Sequence, residues 1–343
     1  MSKQNGNKFL NGKNLSSNID RKLNNGKESQ TPKISLKSQN FSHMGFPGPI
    51  KIASTILSLN ILNKNYDFYE KAKYSNKQIG ALKSFSYNSY HGLFKEINED
   101  KIIVISQIKK PSTLKMKTWP KISYFGIFDG HGGEGCAEFL KNNFLNVLIE
   151  NKNFPIDIKL SLAETFEKIE EDFFKQKCIG LEKCDKSGSC ALITLIFDNK
   201  IYIANLGDSR AIMSVNGGTK IKQLTNDHKP NNPKEFERAI KNGSKIYIDD
   251  YDEPVRDVSK LKFIKDKNEF EKYKKKENNK EEIVFREYPS DLAVMRTIGD
   301  IKAKKKEFGV FLEQLLISLI FLYMKSIVMM ILLFWGVMVF MTI

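Results

Sequence analysis

The sequence predicts an α+β fold, and three observations carry that expectation. The runs "KIIVIS" (101–106) and "ISYFGIF" (122–128) are apolar and of strand length. In "EGCAEFLKNNFLNVLIE" (134–150), Cys136, Leu140, Phe144 and Leu148 recur every four residues, which marks an amphipathic helix. The stretch "SCALITLIFDNKIYIANLGDSRAIMSVNGG" (189–218) reads as a β-meander.

The meander has strand candidates at Ala191–Phe197, Ile201–Asn205 and Arg210–Val215. Asp198-Asn199 and Asn216-Gly217-Gly218 are its turn signals. A second helix is expected over "LSLAETFEKIEEDFFKQ" (160–176). A short third one is expected in "NPKEFERAIKNGS" (232–244), with Pro233 near its start and Gly243 past its end. Residues 1–45 are rich in Asn, Lys, Ser and Gly. They bury too little apolar surface to offset ordering entropy, so they are expected to be disordered. Residues 46–90 read as a transition segment, 91–308 as the folded core, and 309–343 as an apolar tail. Within the core, 247–285 is charge-dense and reads as a surface insertion, partly helical or disordered.

Composition bounds the class. At 343 residues, with 41 % hydrophobic and 28 % charged residues, the chain suits a globular protein with polar extensions. Its formal charge of +15 would admit nucleic acid or an anionic membrane surface as a partner. Lys, Asn and Ile share A/T-rich codons, however, and no nucleic-acid motif accompanies the charge. No specific nucleic-acid partner is expected. The four cysteines lack zinc-site spacing and no signal peptide is read ahead of them, so a reducing, cytoplasmic or nuclear setting is expected. Ser2 stands where N-myristoylation would require glycine.

The chemistry concentrates in "YFGIFDGHGGEG" (124–135). An apolar strand ends in Asp129, which aims a carboxylate beyond the sheet. Gly130, Gly132 and Gly133 then permit close backbone approach. A carboxylate beside a carbonyl oxygen suits a hard divalent cation, and His131 could donate a proton. Upstream, Glu99 and Asp100 stand at a strand start; if they converge on Asp129, their mutual repulsion calls for a cation. Asp208 lies in a tight turn, a place Gly-Asp occupies without any function. "DLAVMRTIGD" (291–300) adds Arg296, Gly299 and Asp300.

In this order, "NED", "FGIFDGHGG", "SGSCALITLI", "ANLGDSRAIM", "LTNDHKP" and "LAVMRTIGD" resemble the metal-dependent serine/threonine phosphatases of the protein phosphatase 2C type. The resemblance covers residues 92–300. It implies two packed antiparallel β-sheets flanked by helices, an α-β-β-α sandwich, with a binuclear Mn²⁺ or Mg²⁺ centre at one end. By that likeness Asp129 bridges both metals, the Gly130 carbonyl binds one, and Glu99 and Asp100 hold bound waters or lie just behind them. Asp208 matches the position of a third, weaker metal, and His131 the general acid. Lys95 stands where the family often has a phosphate-gripping arginine; it offers a point charge without the bidentate fork. The implied reaction is in-line attack of a metal-activated water on phosphoserine or phosphothreonine of a protein substrate, by a monomer.

The tail departs from the pattern. The family carries two further aspartates after this point, and no aspartate follows Asp300. Ser326–Ile343 is eighteen uncharged residues, at the low end of a membrane-spanning length. A second reading comes from the genetic code. Met329-Met330 and Met330-Ile331 each force Asp when the frame is shifted to the third base of each codon; Phe334-Trp335 forces Leu, Trp335-Gly336 and Met338-Val339 force Gly, and Met341-Thr342 forces Asp. The open positions permit "DDFIILGCDGVYD", which looks like the absent family motif. On that reading the tail from about Gly309 is out of frame and the C-terminal strands are missing. The alternative function is then a catalytically dead pseudophosphatase, a phosphoprotein-binding and tail-anchored module.

Overall fold

The computed structural model describes residues 73–90, 96–112, 114–179, 183–250, 258–278, 283–288, 290–304, 318–323, 329–334 and 337–342. The segment read as disordered, Lys95 and Gly309 lie outside these residues.

The strands are β1 (Lys73–Ser75), β2 (Ser84–Ser89), β3 (Lys101–Ile105), β4 (Ile122–His131), β5 (Cys178–Ile179), β6 (Lys183–Cys184), β7 (Gly188–Phe197), β8 (Lys200–Leu206), β9 (Arg210–Val215) and β10 (Lys220–Gln223). They continue with β11 (Lys245–Asp250), β12 (Lys262–Phe263), β13 (Ile283–Tyr288), β14 (Ile298–Gly299), β15 (Ser318–Tyr323), β16 (Met329–Phe334) and β17 (Val337–Thr342). The described α-helices are α1 (Gly135–Glu150), α2 (Ile158–Lys177), α3 (Pro233–Lys241) and α4 (Lys267–Asn278).

Two antiparallel sheets carry the fold, as expected. One runs β1-β2-β17-β16-β9-β10; the other runs β15-β8-β7-β4-β3, with β14 paired to one end of β7. Strand alternation divides the core in two. Tyr124 and Phe128 of β4, with Ala191, Ile193 and Leu195 of β7, face helices α1 and α2. Their neighbours Phe125, Ile127, Leu192 and Ile196 face the first sheet, meeting Ala211, Met213, Val339 and Met341. Both strands are buried on two faces, which is why they read as continuous apolar runs. Helix α1 buries Cys136, Leu140, Phe144 and Leu148, the stripe its spacing predicts. Helix α2 starts at Asp157, whose carboxylate accepts the Leu160 N–H.

The described strands differ from the sequence reading at three places. The meander is not one sheet: β8 and β9 lie in different sheets, because the chain turns sharply at Gly207 (φ 103°) and crosses between layers. The sandwich begins before residue 91, since β1 and β2 belong to the first sheet; the mixed pattern "SFSYNS" hides Phe85 and Tyr87, which pack on the core between the sheets. The charged insertion contains a three-stranded sheet, β12-β11-β13, whose core gathers Phe236, Ile246, Ile248, Phe270 and Phe285. The tail forms strands as well: β15 pairs with β8, β16 with β9, and β17 with both β16 and β2. Segments of six residues are the right length for sheet strands, and among the described residues no helix is long and apolar enough to cross a membrane. The β5–β6 hairpin sets Cys178 opposite Cys184, and a disulfide joins them.

Candidate metal centre

Three carboxylates converge where the long strands end. Asp129 is the eighth residue of β4 and is 8 % exposed. Asp100 immediately precedes β3, which pairs with β4 and places its buried carboxyl against Asp129. Asp208 comes from the β8–β9 crossing. Burial, followed by the charges of Asp100 and Asp208, pushes the Asp129 carboxyl up to about 8. Such crowding leaves the cluster short of positive charge, which is the chemistry a divalent cation satisfies.

The loop after Asp129 is held from both sides. Glu99 Oε1 accepts the Gly133 N–H at 2.8 Å, so Glu99 braces the glycine loop from just behind the cluster. A Cβ on Gly130 would lie 2.4 Å from the Glu99 carbonyl oxygen, so only glycine fits that approach. At the opposite edge Ser187 Oγ accepts the Cys136 N–H at 2.9 Å and itself donates to Asp185 Oδ1 at 2.6 Å, tying the start of α1 to the entry of β7.

One participant escaped the sequence reading, and a second, Asp300, was named there without a role. Cys190 is paired with Asp129 across the β4–β7 ladder, and its Sγ lies 3.4 Å from Asp208 Oδ1. Asp129, Cys190 and Asp208 each bring one donor atom into a group whose members all lie within 4.8 Å of one another. A thiol inside an apolar strand looks like core, and only the register reveals its neighbours. Asp300, with a left-handed backbone (φ 51°), accepts from His131 Nε2 at 2.8 Å and from Thr297 Oγ1 at 2.5 Å. Its partner is distant in sequence, so no local pattern announces the pair.

The turn carrying Asp300 is anchored from α2. Glu170, 8 % exposed, accepts the Gly299 N–H at 2.9 Å and pairs with Lys304. Behind Asp208, the Gly207 N–H donates to His228 Nδ1 at 3.1 Å. Burial and the Arg296 charge push His228 down to about 4, so the ring stays neutral and Nδ1 remains an acceptor. Lys229 Nζ reaches Asp208 Oδ2 at 3.1 Å, which leaves Oδ1 directed at Cys190.

Residues 91–320, more than half of the chain, match the family model described as protein phosphatase 2C. The chain belongs to that metal-dependent family. Similar curated proteins include a "Probable protein phosphatase 2C 55" of Oryza sativa subsp. japonica, 33 % identical over 52 % of this chain and 45 % of that protein. A "Probable protein phosphatase 2C 27" of Arabidopsis thaliana is 31 % identical over 45 % of this chain and 39 % of its own length. The chain spans less than half of these relatives. Among solved structures, the serine-threonine phosphatase 2C of Toxoplasma gondii aligns at TM-score 0.48 and 17 % identity, over 76 % of this chain and 81 % of that one.

Proposed function

We propose that the chain hydrolyses phosphoserine and phosphothreonine in proteins, with Mn²⁺ or Mg²⁺ as cofactor. The observation that carries this is the convergence of the buried Asp100 and Asp129 with the partly buried Asp208, in a chain of this family, on a site short of positive charge. Divalent cations held there supply a water acidic enough to act as nucleophile near neutral pH. Asp129, Asp208 and the Gly130 carbonyl are the ligands we assign, Asp208 also serving a third, weaker site. Glu99 and Asp100 stand behind them as partners of bound water.

His131 is assigned as the acid that protonates the departing serine or threonine oxygen. Its hydrogen bond to Asp300 fixes the orientation of the ring. Lys95 is assigned to the substrate phosphate. A cleft of about 320 Å³ beside Asp100, lined by Lys73, Tyr87, Asn98, Lys101 and Lys141, is the approach we assign to the phosphoprotein. A monomer in the cytoplasm or nucleus completes the proposal.

The test is phosphate release from a phosphothreonine peptide by the full chain with and without Mn²⁺. We expect Mn²⁺-dependent release, lowered roughly a hundredfold or more by Asp129→Asn. One observation favours a second reading, a phosphoprotein-binding pseudophosphatase: no aspartate follows Asp300 to complete the ligand set. Peptide binding with no release at any Mn²⁺ concentration would decide for it. Translation of the transcript in the frame of the tail written here would dismiss the out-of-frame reading.

A further inference from the structure

The Asp129–Cys190–Asp208 cluster is not the donor set of a purely oxygen-ligated site. Two of its members are carboxylates and the third is a thiol, and they come from β4, β7 and the β8–β9 crossing. Cys190 is 1 % exposed, and its sulfur lies 3.4 Å from Asp208 Oδ1. Because Asp129 and Cys190 face each other in the ladder, sheet register holds both donors. The second Asp208 oxygen is taken by Lys229, so one oxygen alone turns inward. A Cβ on Gly207 would lie 2.3 Å from the Cys190 sulfur, so the turn is shaped around the thiol.

Oxygen donors alone suit Mg²⁺ and Mn²⁺. Adding one sulfur shifts preference toward a thiophilic borderline cation, which thiolate ligands select. Three protein ligands with one place left for water is also a coordination Zn²⁺ adopts.

We propose that Asp129, Cys190 and Asp208 form a mixed sulfur–oxygen site that takes Zn²⁺, in competition with the hard cation that the carboxylates alone would hold. When Zn²⁺ enters, the S–H bond of Cys190 breaks, its electron pair forms the Zn–S bond, and the proton leaves to solvent. Asp129 gives up its proton in the same way where it carries one. No oxidation is involved. The site needs no hydrolysis to exist, so its test is independent of the phosphatase reading.

The experiment titrates the full-length chain with Co²⁺, a spectroscopic stand-in for Zn²⁺, and follows the near-ultraviolet thiolate-to-cobalt charge-transfer absorption. Calorimetry with Zn²⁺ and with Mn²⁺ accompanies it. Wild type and Cys136→Ser should both give the band, because Cys136 lies elsewhere, with its sulfur on the Ile298 carbonyl. Cys190→Ser should lose the band and bind Zn²⁺ about tenfold more weakly, while Mn²⁺ affinity changes by less than about threefold. Zn²⁺ should displace Mn²⁺ from wild type. Absence of the band in wild type overturns the proposal, as does a band that survives Cys190→Ser. Equal Zn²⁺ affinity in wild type and Cys190→Ser overturns it too. If Cys190→Ser fails to fold, Co²⁺ absorption in Cys136→Ser decides alone: Cys190 is then the only free thiol, and no band means no such site.

Discussion

Replacing Gly130 by alanine tests the link between backbone packing and the metal centre. The added Cβ would sit 2.4 Å from the Glu99 carbonyl oxygen and 3.1 Å from the Ala137 Cβ. Ordinary contact begins at 3.4 Å, so the loop and the segment before β3 must separate by about 1 Å (3.4 minus 2.4). Both closest partners are on or next to backbone, so no flexible side chain can yield. Overpacking of this kind costs ~1–3 kcal/mol. At ~2–4 °C per kcal/mol for a domain of this size, the melting temperature should fall by roughly 2–12 °C. The same movement parts Asp129 from Asp100, so Mn²⁺ should bind about tenfold or more weakly, given that a ~1 Å misplacement can cost a hundredfold in function. Calorimetric melting and Mn²⁺ titration read both effects. Gly132→Ala is the control: its Cβ would meet nothing closer than 3.8 Å, leaving only a left-handed φ of 67° and ~1–2 kcal/mol. If Gly130→Ala melts within about 1 °C of wild type and binds Mn²⁺ equally, the reasoning from that contact is refuted.

Three other outcomes are expected. Glu170→Gln leaves the Lys304 ammonium, 15 % exposed, without its counter-charge; urea unfolding should show a loss of about 3–5 kcal/mol. His228 is neutral down to about 4 in the folded chain but titrates near 6.5 when unfolded. Its contribution is therefore complete above pH 6.5 and is lost as pH falls toward 4, a slope that His228→Gln should flatten in melts across that range. Asp129 has the opposite sign: its folded value of about 8 lies above the ordinary 3.8, so the metal-free chain should lose stability as pH rises from 3.8 to 8. Asp129→Asn should melt higher than wild type at pH 8 in chelator, and Mn²⁺ should raise wild type alone.

The interior of the fold was legible because β4 and β7 are buried on both faces, and nothing but a continuous apolar run satisfies that. Helix α1 was legible for the complementary reason: one buried stripe, at Cys136, Leu140, Phe144 and Leu148, recurs with the helical period. The small sheet was hidden because few side chains make its core; in α4 only Phe270 is buried amid lysines and glutamates. Strand β2 was hidden because its aromatic residues alternate with Ser and Asn. Within the site, Asp129 declared itself through the glycines that follow it. Cys190 did not, nor did the pairing of Asp300 with His131, since each depends on a residue placed opposite by the tertiary fold. The tail was read as a membrane span for its hydrophobicity, a property that a membrane helix and three sheet strands share, and as out of frame from its codons.

The position of β17 governs how this sandwich can assemble. Among the described residues, strands β1 and β2 reach the rest of their sheet only through β17, which lies between β2 and β16. A chain emerging N-terminus first would hold residues 73–89 with an open ladder until residues 337–342 arrive to fill the gap. Until then an unpaired strand edge faces water and can recruit another chain, so concentration and chaperone supply should govern the yield of folded protein more than final stability does.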